Sequence, residues 1–592
     1  MALELRQAKS GQYIYLYLTR AFRDKIKGPT RTTIEKLGRL DKLQEQYEDP
    51  IAYFTAAVEE MNRKEQEEKR QRSITLTVDL NEQLASGNDG LMYLGYAAIV
   101  KIFSELGLPV FFRNRQRGTK YQYDTAAIML LLVCERILNP GSKKQAYENK
   151  GKYFERFDFE LHDVYRSLSH FATLEKDTQL QMDRQLQKNL GARNTDLVYY
   201  DVTNYYFEID EEDEHRRRGV NKEHRPNPIV QMGMTMDNDG LPISYQLFNG
   251  NTNDVETLRG VVHDLKVKYG YDRIIVVADR GINSADNLNY LVTTGGRNKG
   301  DGYVISQSVR GADKKFKEYV LQQDGYQVTY EKELDADGNP IPKFKSKSRL
   351  EIREVKVSGV AKKKTPVSLH EKQVIFWSRK YADRAKADRA AALTKAHEMC
   401  DVPSKYSKAT HLGAAKYVKN LTYDEKTGEY LADAQNLPVF DWDKLKEEEL
   451  YDGYYAILTS EQDKDDKWII DTYRGLWEIE ETFKISKSDI ETRPIFVSTW
   501  DSIRAHFLTC FIALVIIRLL ERKLDYQYTT EQILACLKNI QCAHDVENLY
   551  LLFYRTPISD ALGASLGVDF SKKRMRLSEI KNILAVSRQQ EP

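Results

Sequence analysis

At 592 residues the chain is too long for a single hydrophobic core, so several domains are expected. A hydrophobic content of 41% suits folded globular structure and a charged content of 30% suits a soluble one. The formal net charge of +1 excludes any argument for nucleic-acid binding from bulk charge.

Local patterns say more. From Met1 to Lys42 there are ten basic residues against four acidic, an excess that could meet phosphates. Tyr13, Tyr15 and Tyr17 alternate with Ile14, Leu16 and Leu18, Lys27-Gly28-Pro29 makes a turn, and Arg31 to Leu37 returns, which predicts an N-terminal β-hairpin. A charged helical connector over Asp41 to Arg72 and a short strand at Ser73 to Leu80 follow. From Leu91 to about Leu190 apolar residues recur every three and four positions, with breaks at Pro109, Pro140 and Gly141, as in packed helices. This stretch holds a basic turn, Arg136 to Lys144, whose Lys143 could contact backbone phosphates. It also holds a helix–break–helix near Asp163 to Leu186 that could be helix-turn-helix-like. A plain helical packing domain fits it equally well.

The five cysteines, Cys134, Cys400, Cys510, Cys536 and Cys542, form no CxxC pair and no zinc spacing, so reduced buried thiols in a cytoplasmic protein are expected. The start MALELRQAKSGQYIY shows no signal-peptide pattern. The most apolar run, Phe507 to Ile517, is bracketed by Arg504 and Arg518. It falls short of the roughly 18 residues of a membrane span and reads as a buried core helix.

The middle of the chain is the most informative. Leu197 to Tyr200 is a strand ending at Asp201, and Ile229 to Met236 and Leu241 to Phe248 form a hairpin about an Asp237-Asn238-Asp239-Gly240 turn. Asn253 or Asp254 caps a helix through Lys268. Ile274 to Ala278 is an unbroken apolar strand ending at Asp279, Ser284 starts another helix, and Tyr303 to Ile305 is a further strand. The order β-β-β-α-β-α-β predicts one mixed sheet flanked by helices. Between about Arg310 and Ser460, Lys-rich loops and short strands indicate a separate β-rich insertion carrying a helix near Tyr381 to Glu398. Beyond it, Ile469, Tyr473, Leu476, Glu480, Phe483 and Lys487 recur at helical intervals, predicting one helix from Lys467 to Lys487.

Open α/β sheets place their sites at the carboxyl ends of strands, where Asp201 and Asp279 are expected. Two carboxylates there repel, and a divalent cation is the simplest way to keep both ionised. Oxygen ligands suit Mg²⁺ or Mn²⁺, and two such ions about 4 Å apart can clamp an in-line phosphoryl displacement. An Asp at a strand end is more often a turn or cap, and a third carboxylate is needed. Physical reading leaves Asp254, Asp286, Asp471, Glu478, Glu480, Glu481 and the Asp210 to Glu214 run as candidates.

The segment Tyr473-Arg474-Gly475-Leu476-Trp477-Glu478-Ile479-Glu480-Glu481-Thr482-Phe483-Lys484-Ile485-Ser486-Lys487 closely resembles the signature helix of the insertion-sequence-four group of DDE transposases. Tyr473, Glu480 and Lys487 fall on its Tyr, Glu and Lys positions, while Leu476 stands where that signature has Arg. Tyr200-Asp201-Val202-Thr203 and Val277-Ala278-Asp279-Arg280-Gly281 resemble the two aspartate strands of these enzymes. Asn249 to Asp254 resembles the segment between them. The resemblance implies a catalytic triad of Asp201, Asp279 and Glu480 binding two Mg²⁺ or Mn²⁺ ions. It also implies an insertion before the Glu helix, which accounts for Glu480 lying 201 residues beyond Asp279 when Asp279 lies only 78 beyond Asp201. Tyr473, Arg474, Lys484 and Lys487 of the helix, with Arg280, become candidates for DNA contact, and Arg474 or Lys484 could supply the charge missing at Leu476. Trp377 and the arginines after it (Arg379, Arg384, Arg389) could touch a flipped end base or the backbone, although Trp in a β-rich domain is usually core.

The implied fold is a multidomain α/β protein whose RNase H-like core is interrupted by the β-rich insertion. Its expected parts are the hairpin and connector (1–80), a helical DNA-binding domain (81–193), the first part of the core (194–309), the insertion (310–460), the second part of the core (461–525) and a helical C-terminal region (526–592). The implied activity is cut-and-paste transposition of a bacterial insertion sequence in the cytoplasm. Its partners are double-stranded DNA (terminal inverted repeats and target) and a second copy of the chain, with no membrane. A nuclease on the same core without strand transfer, or a domesticated or inactive DNA-binding protein, is the alternative.

Overall fold

The N-terminal unit, Met1–Asn88, is built on an alternation of period two. Strands β1 (Leu3–Ser10), β2 (Tyr13–Asp24) and β3 (Gly28–Arg39) pair antiparallel in the order β1-β2-β3. The expected hairpin is therefore a three-stranded sheet. Gly11, at φ +61°, turns the chain between β1 and β2. Leu3 and Leu18 lie on one face and bury against Val58 of the helix Pro50–Arg70, with Leu5 beside them. Asn62 of that helix docks on β1 twice, its Oδ1 accepting from the Leu3 amide (2.8 Å) and its Nδ2 donating to the Leu3 carbonyl (2.9 Å).

The second unit, Asp89–Pro592, carries the large sheet. The computed structural model describes residues 3–24, 28–70, 90–189, 193, 195–219, 226–294, 300–335, 337–358, 364–402, 413–420, 422–423, 430–431 and 438–589. The strand expected at Ser73 to Leu80 lies outside them. After a short β4 (Leu91–Tyr93), the core strands are β5 (Leu197–Tyr206), β6 (Ile229–Met236), β7 (Pro242–Asn249), β8 (Ile275–Ala278) and β9 (Gly302–Gln307). Helices Asp254–Val267 and Ala285–Thr293 make the crossovers, the second capped by Ser284. β5, β8 and β9 run parallel, and β6 and β7 are antiparallel to their neighbours.

The stretch expected as a separate insertion is in large part an extension of this sheet. β10 (Gln327–Leu334) forms the outer edge, and β11 (Pro340–Ser358) and β12 (Lys364–Ser378) follow it inward. After four two-residue strands (β13 Val418–Lys419, β14 Thr422–Tyr423, β15 Tyr430–Leu431, β16 Val439–Phe440), β17 (Tyr454–Thr459) returns between β12 and β9. The result is nine strands in the order β10-β11-β12-β17-β9-β8-β5-β6-β7. Val374, Ile375 and Phe376 of β12 and Ala456, Ile457 and Leu458 of β17 are buried, so joining the sheet removes their apolar surface from water. Among the described residues, the helix Arg379–Asp401 and its partners keep a small core of their own, with Ala396, Met399, Tyr417 and Leu445.

One face of the sheet packs on helices drawn from both ends of the unit. Their axis is Trp500–Lys523, longer than the apolar run expected there. Among the described residues it is the one helix long and apolar enough to cross a membrane, yet 94% of its apolar window is buried inside the protein. Helices Leu161–Thr173 and Glu175–Asn189 lie against the same core through Val164, Leu168, Phe171, Met182 and Leu186. They are separated by the buried Leu174 alone, which leaves no three- to four-residue turn of the helix-turn-helix kind. The C-terminal region is not purely helical: β18 (Gln541–His544), β19 (Leu549–Leu552) and β20 (Arg574–Arg576) form a four-stranded sheet with β4, in the order β20-β19-β18-β4.

Candidate active site

The parallel pairing of β5 with β8 ends at Tyr200 opposite Ala278, so the next residues, Asp201 and Asp279, stand side by side at the carboxyl edge. β8 stops there. The Asp279 carboxylate caps the following 3₁₀ turn, accepting from the Gly281 amide at 2.7 Å. β5 does not stop at Asp201 as expected: it continues to Tyr206 on its pairing with β6.

Tyr199, Asp201 and Tyr205 share one face of β5 by strand periodicity. The Tyr199 hydroxyl donates to the Thr472 carbonyl (3.2 Å), and the Tyr205 hydroxyl meets Ser486 Oγ (2.9 Å). The segment bearing Glu480 therefore lies along the strand face that carries Asp201. Tyr473 lies within electrostatic reach of both Asp279 and Glu480: its hydroxyl is pushed up to about 12 by burial first, with both charges adding to the rise.

The expected continuous helix from Lys467 to Lys487 is instead three pieces. Asp466–Arg474 and Trp477–Lys484 are α-helical and meet in a tight turn at Gly475–Leu476. A π-helical turn, Ile485–Asp489, follows. At the first break, a Cβ on Gly475 would overlap the Tyr199 hydroxyl and lie 2.7 Å from its Cζ, so only glycine permits this approach. Leu476 turns into the core, 8% exposed, and so occupies an apolar site. Arg474 is exposed, 3.4 Å from Asp471, with its guanidinium over Phe344 (5.6 Å). Glu480 and Lys484 are exposed, and Lys487 lies in the π turn with Nζ 5.5 Å from the Tyr205 ring centroid. Arg280 is exposed at the rim beside Asp279.

Lys143 is no phosphate contact. It is 4% exposed, with Nζ 3.1 Å from His506 Nδ1, and burial, helped by the nearby Arg136 charge, brings its pKa down to about 7. Trp377 spends its indole N–H on the Asp452 carbonyl (2.9 Å) at the end of β12. Arg389 is buried in an ion pair with the same Asp452.

Sequence reasoning set one neighbour aside. Both Asp279 Oδ1 and Asp254 Oδ2 approach the point where a Cβ on Gly281 would stand, at 3.0 and 3.4 Å. Asp254 thus borders the site at the start of the helix Asp254–Val267, and the Asn249 to Asp254 motif was the available signal. Among the described residues no three His, Cys, Asp or Glu side chains converge into a ready-made metal cage. The donor chemistry nevertheless fits a hard divalent ion, since Asp201 and Asp279 present oxygen alone from neighbouring strands and Glu480 adds a third carboxylate.

A mixed sheet with acids at the carboxyl edge of its parallel strands suits a phosphoryl-transfer enzyme. The chain matches the family model described as Transposase DDE domain over residues 206–516, and the one described as IS1634 family transposase, N-terminal domain, over residues 5–73. The first match covers more than half of the chain, which belongs to the DDE transposases of insertion sequences: metal-dependent enzymes that cleave and transpose DNA. Such a domain implies an RNase H-like α/β core. No curated protein matches the chain.

Proposed function

We propose that the chain performs cut-and-paste transposition of a bacterial insertion sequence, with Asp201, Asp279 and Glu480 as its catalytic carboxylates. Two divalent ions, Mg²⁺ or Mn²⁺, would be held by these three residues. Bound ions would supply the positive charge that in-line displacement at phosphorus requires. The observation that most supports the reading is the contact of residues 472 and 486 with Tyr199 and Tyr205, on the strand face that carries Asp201. Asp279 and Glu480 lie within electrostatic reach of one phenol, Tyr473. The matched family span contains Asp279 and Glu480 and begins five residues after Asp201.

The roles follow from charge and position. Asp201 and Asp279 would hold the divalent ions at the sheet edge, with Glu480 contributing a third carboxylate from its helix. Tyr473 keeps its proton at neutral pH, so it donates a hydrogen bond and adds no fourth negative charge. Arg280, Arg474, Lys484 and Lys487 present cations for the DNA backbone. The same carboxylates serve hydrolysis at the element ends and then attack by the freed 3′-hydroxyl on target DNA, with two copies of the chain pairing the ends.

Incubation of the purified chain with Mg²⁺, duplex carrying an element end and a supercoiled target plasmid tests this. Nicked ends joined to plasmid are expected. Nicks that never join would reduce the reading to a nuclease, and intact substrate at all protein concentrations would remove it.

A further inference from the structure

The N-terminal sheet has two faces of different character. The leucine face is closed by the unit's own helices, through Leu43 and Val58. The opposite face carries Tyr13, Tyr15 and Tyr17 of β2. Arg6 of β1 is paired across from Tyr17, and Lys36 and Arg39 of β3 are paired across from Tyr17 and Tyr15. Lys36 Nζ stands 4.2 Å above the Tyr15 ring, and the Arg39 guanidinium 3.8 Å above the Tyr13 ring. Arg6 and Lys36 are exposed. Arg39 is also held by Asp41, its Nε 2.9 Å from Oδ1.

We propose that this tyrosine face docks duplex DNA, gripping the phosphate backbone through Arg6, Lys36 and Arg39. The inference rests on the family's DNA chemistry and not on the assignment of the three carboxylates. Three observations select duplex over other occupants. The face sits in the segment where ten basic residues outnumber four acidic ones, which complements phosphate. The ring faces of Tyr13 and Tyr15, where bases of a single strand would stack, already carry cations. Cations propped on rings and phenolic hydroxyls are instead donors suited to phosphate oxygens.

The test is fluorescence anisotropy with the full-length protein in EDTA, where no cleavage occurs. The probes are a labelled 30-base-pair mixed-sequence duplex and the corresponding 30-nucleotide single strand, at several salt concentrations. The double variant Arg6→Gln/Lys36→Gln leaves the Arg39–Asp41 pair in place. It is expected to weaken duplex binding about tenfold and to flatten the slope of log K against log salt by about 2, since each lost phosphate contact removes about 0.9. Single-strand affinity is expected to stay within twofold. A Tyr13→Phe/Tyr15→Phe variant, which keeps the fold and the cations, is expected to lose duplex affinity by a few-fold. Wild-type duplex affinity and salt slope in Arg6→Gln/Lys36→Gln would overturn the proposal. So would loss of single-strand binding with the duplex retained, or a change of oligomeric state with DNA binding intact. Glu480→Gln should bind both probes normally, so failure of the catalytic reading leaves this test untouched.

Discussion

Gly475 decides how closely the Glu480 segment approaches β5. Replacing it with Ala sets a methyl group against the Tyr199 ring, 2.7 Å from Cζ. Overpacking of this kind costs about 1–3 kcal/mol. Gly475→Ala is therefore expected to lower the thermal midpoint and to slow cleavage by displacing Glu480. Tyr199→Phe in the same chain, by removing the crowding hydroxyl, should recover part of both. If activity and midpoint match the wild type, the close approach has no catalytic importance.

The buried Lys143 makes a second residue-scale prediction. Its ordinary pKa of 10.5 falls to about 7 through burial first, then the Arg136 charge, with Cys510 opposing. Between about pH 7 and 10 the unfolded chain holds a proton that folded Lys143 has released, so stability rises with pH across that window. His506, driven well below its ordinary value by burial and by Lys143 and Arg136, acts in the same direction. It stays neutral when folded but takes a proton on unfolding below about pH 6.5, so acid destabilises. Urea midpoints for Lys143→Met are expected to vary less between pH 7 and 9 than the wild type, by at most roughly 1.4 kcal/mol per pH unit. Parallel pH profiles would show that Lys143 is charged in the fold.

At the scale of elements, a buried charge cluster locks the helix Glu175–Asn189 to the β6–β7 hairpin. Arg193, 1% exposed at its side chain, holds Asp183 through Nη1 and Asp237 through Nε, each at 2.7 Å, and donates to the Leu241 and Pro242 carbonyls. Removing the arginine strands two buried acids, a loss of about 3–5 kcal/mol. Arg193→Met is expected to shift the urea midpoint accordingly, and Arg193→Lys should not restore it, because one ammonium cannot reproduce the planar fork. Wild-type stability in Arg193→Lys would show that charge alone suffices.

The elements legible in the sequence were those whose apolar period is long or uninterrupted. Leu197 to Tyr200 and Ile274 to Ala278 announced two buried strands, and their ends located Asp201 and Asp279. Asn253 or Asp254 and Ser284 marked helix starts: Asn253 takes the N-cap position without a side-chain bond, and Ser284 caps with its hydroxyl. Less legible were features fixed by contacts distant in sequence. The helical period of residues 467–487 runs through Gly475, yet the contact that requires glycine there is with Tyr199, far away in the chain. β18, β19 and β20 are three or four residues each, too short to show a period. Lys143 looked like a surface cation because its basic neighbours are visible in sequence and its burial against His506 is not.

At the scale of the molecule, the catalytic sheet and the helical body are one construction. Helices from residues 96–189 and the helix Trp500–Lys523 share a continuous core with Tyr199, Tyr205 and Phe483, which flank the site. The sequence distance between Asp279 and Glu480 is taken up by strands that extend the same sheet beyond β9 to its β10 edge and return beside β9 at β17, just before the segment that carries Glu480. Truncation before β18 should therefore do more than remove a tail: it unpairs β4 and bares the helix Tyr96–Glu105, which packs on Leu577–Ser587. Insoluble expression is expected, and a soluble, active truncation would show the C-terminal sheet to be dispensable.

Glu480, among the several acids of its segment, is the residue proposed to complete the site. The direct measurement is the single-turnover rate of Mg²⁺-dependent nicking of end DNA by Glu480→Gln beside Glu481→Gln, at protein concentrations that saturate the duplex. Both residues are exposed neighbours on one helix. A fall of at least about 100-fold is expected for Glu480→Gln, with duplex binding retained, and a rate within a few-fold of wild type for Glu481→Gln. Wild-type nicking by Glu480→Gln, or an equal loss in Glu481→Gln, would contradict the proposal.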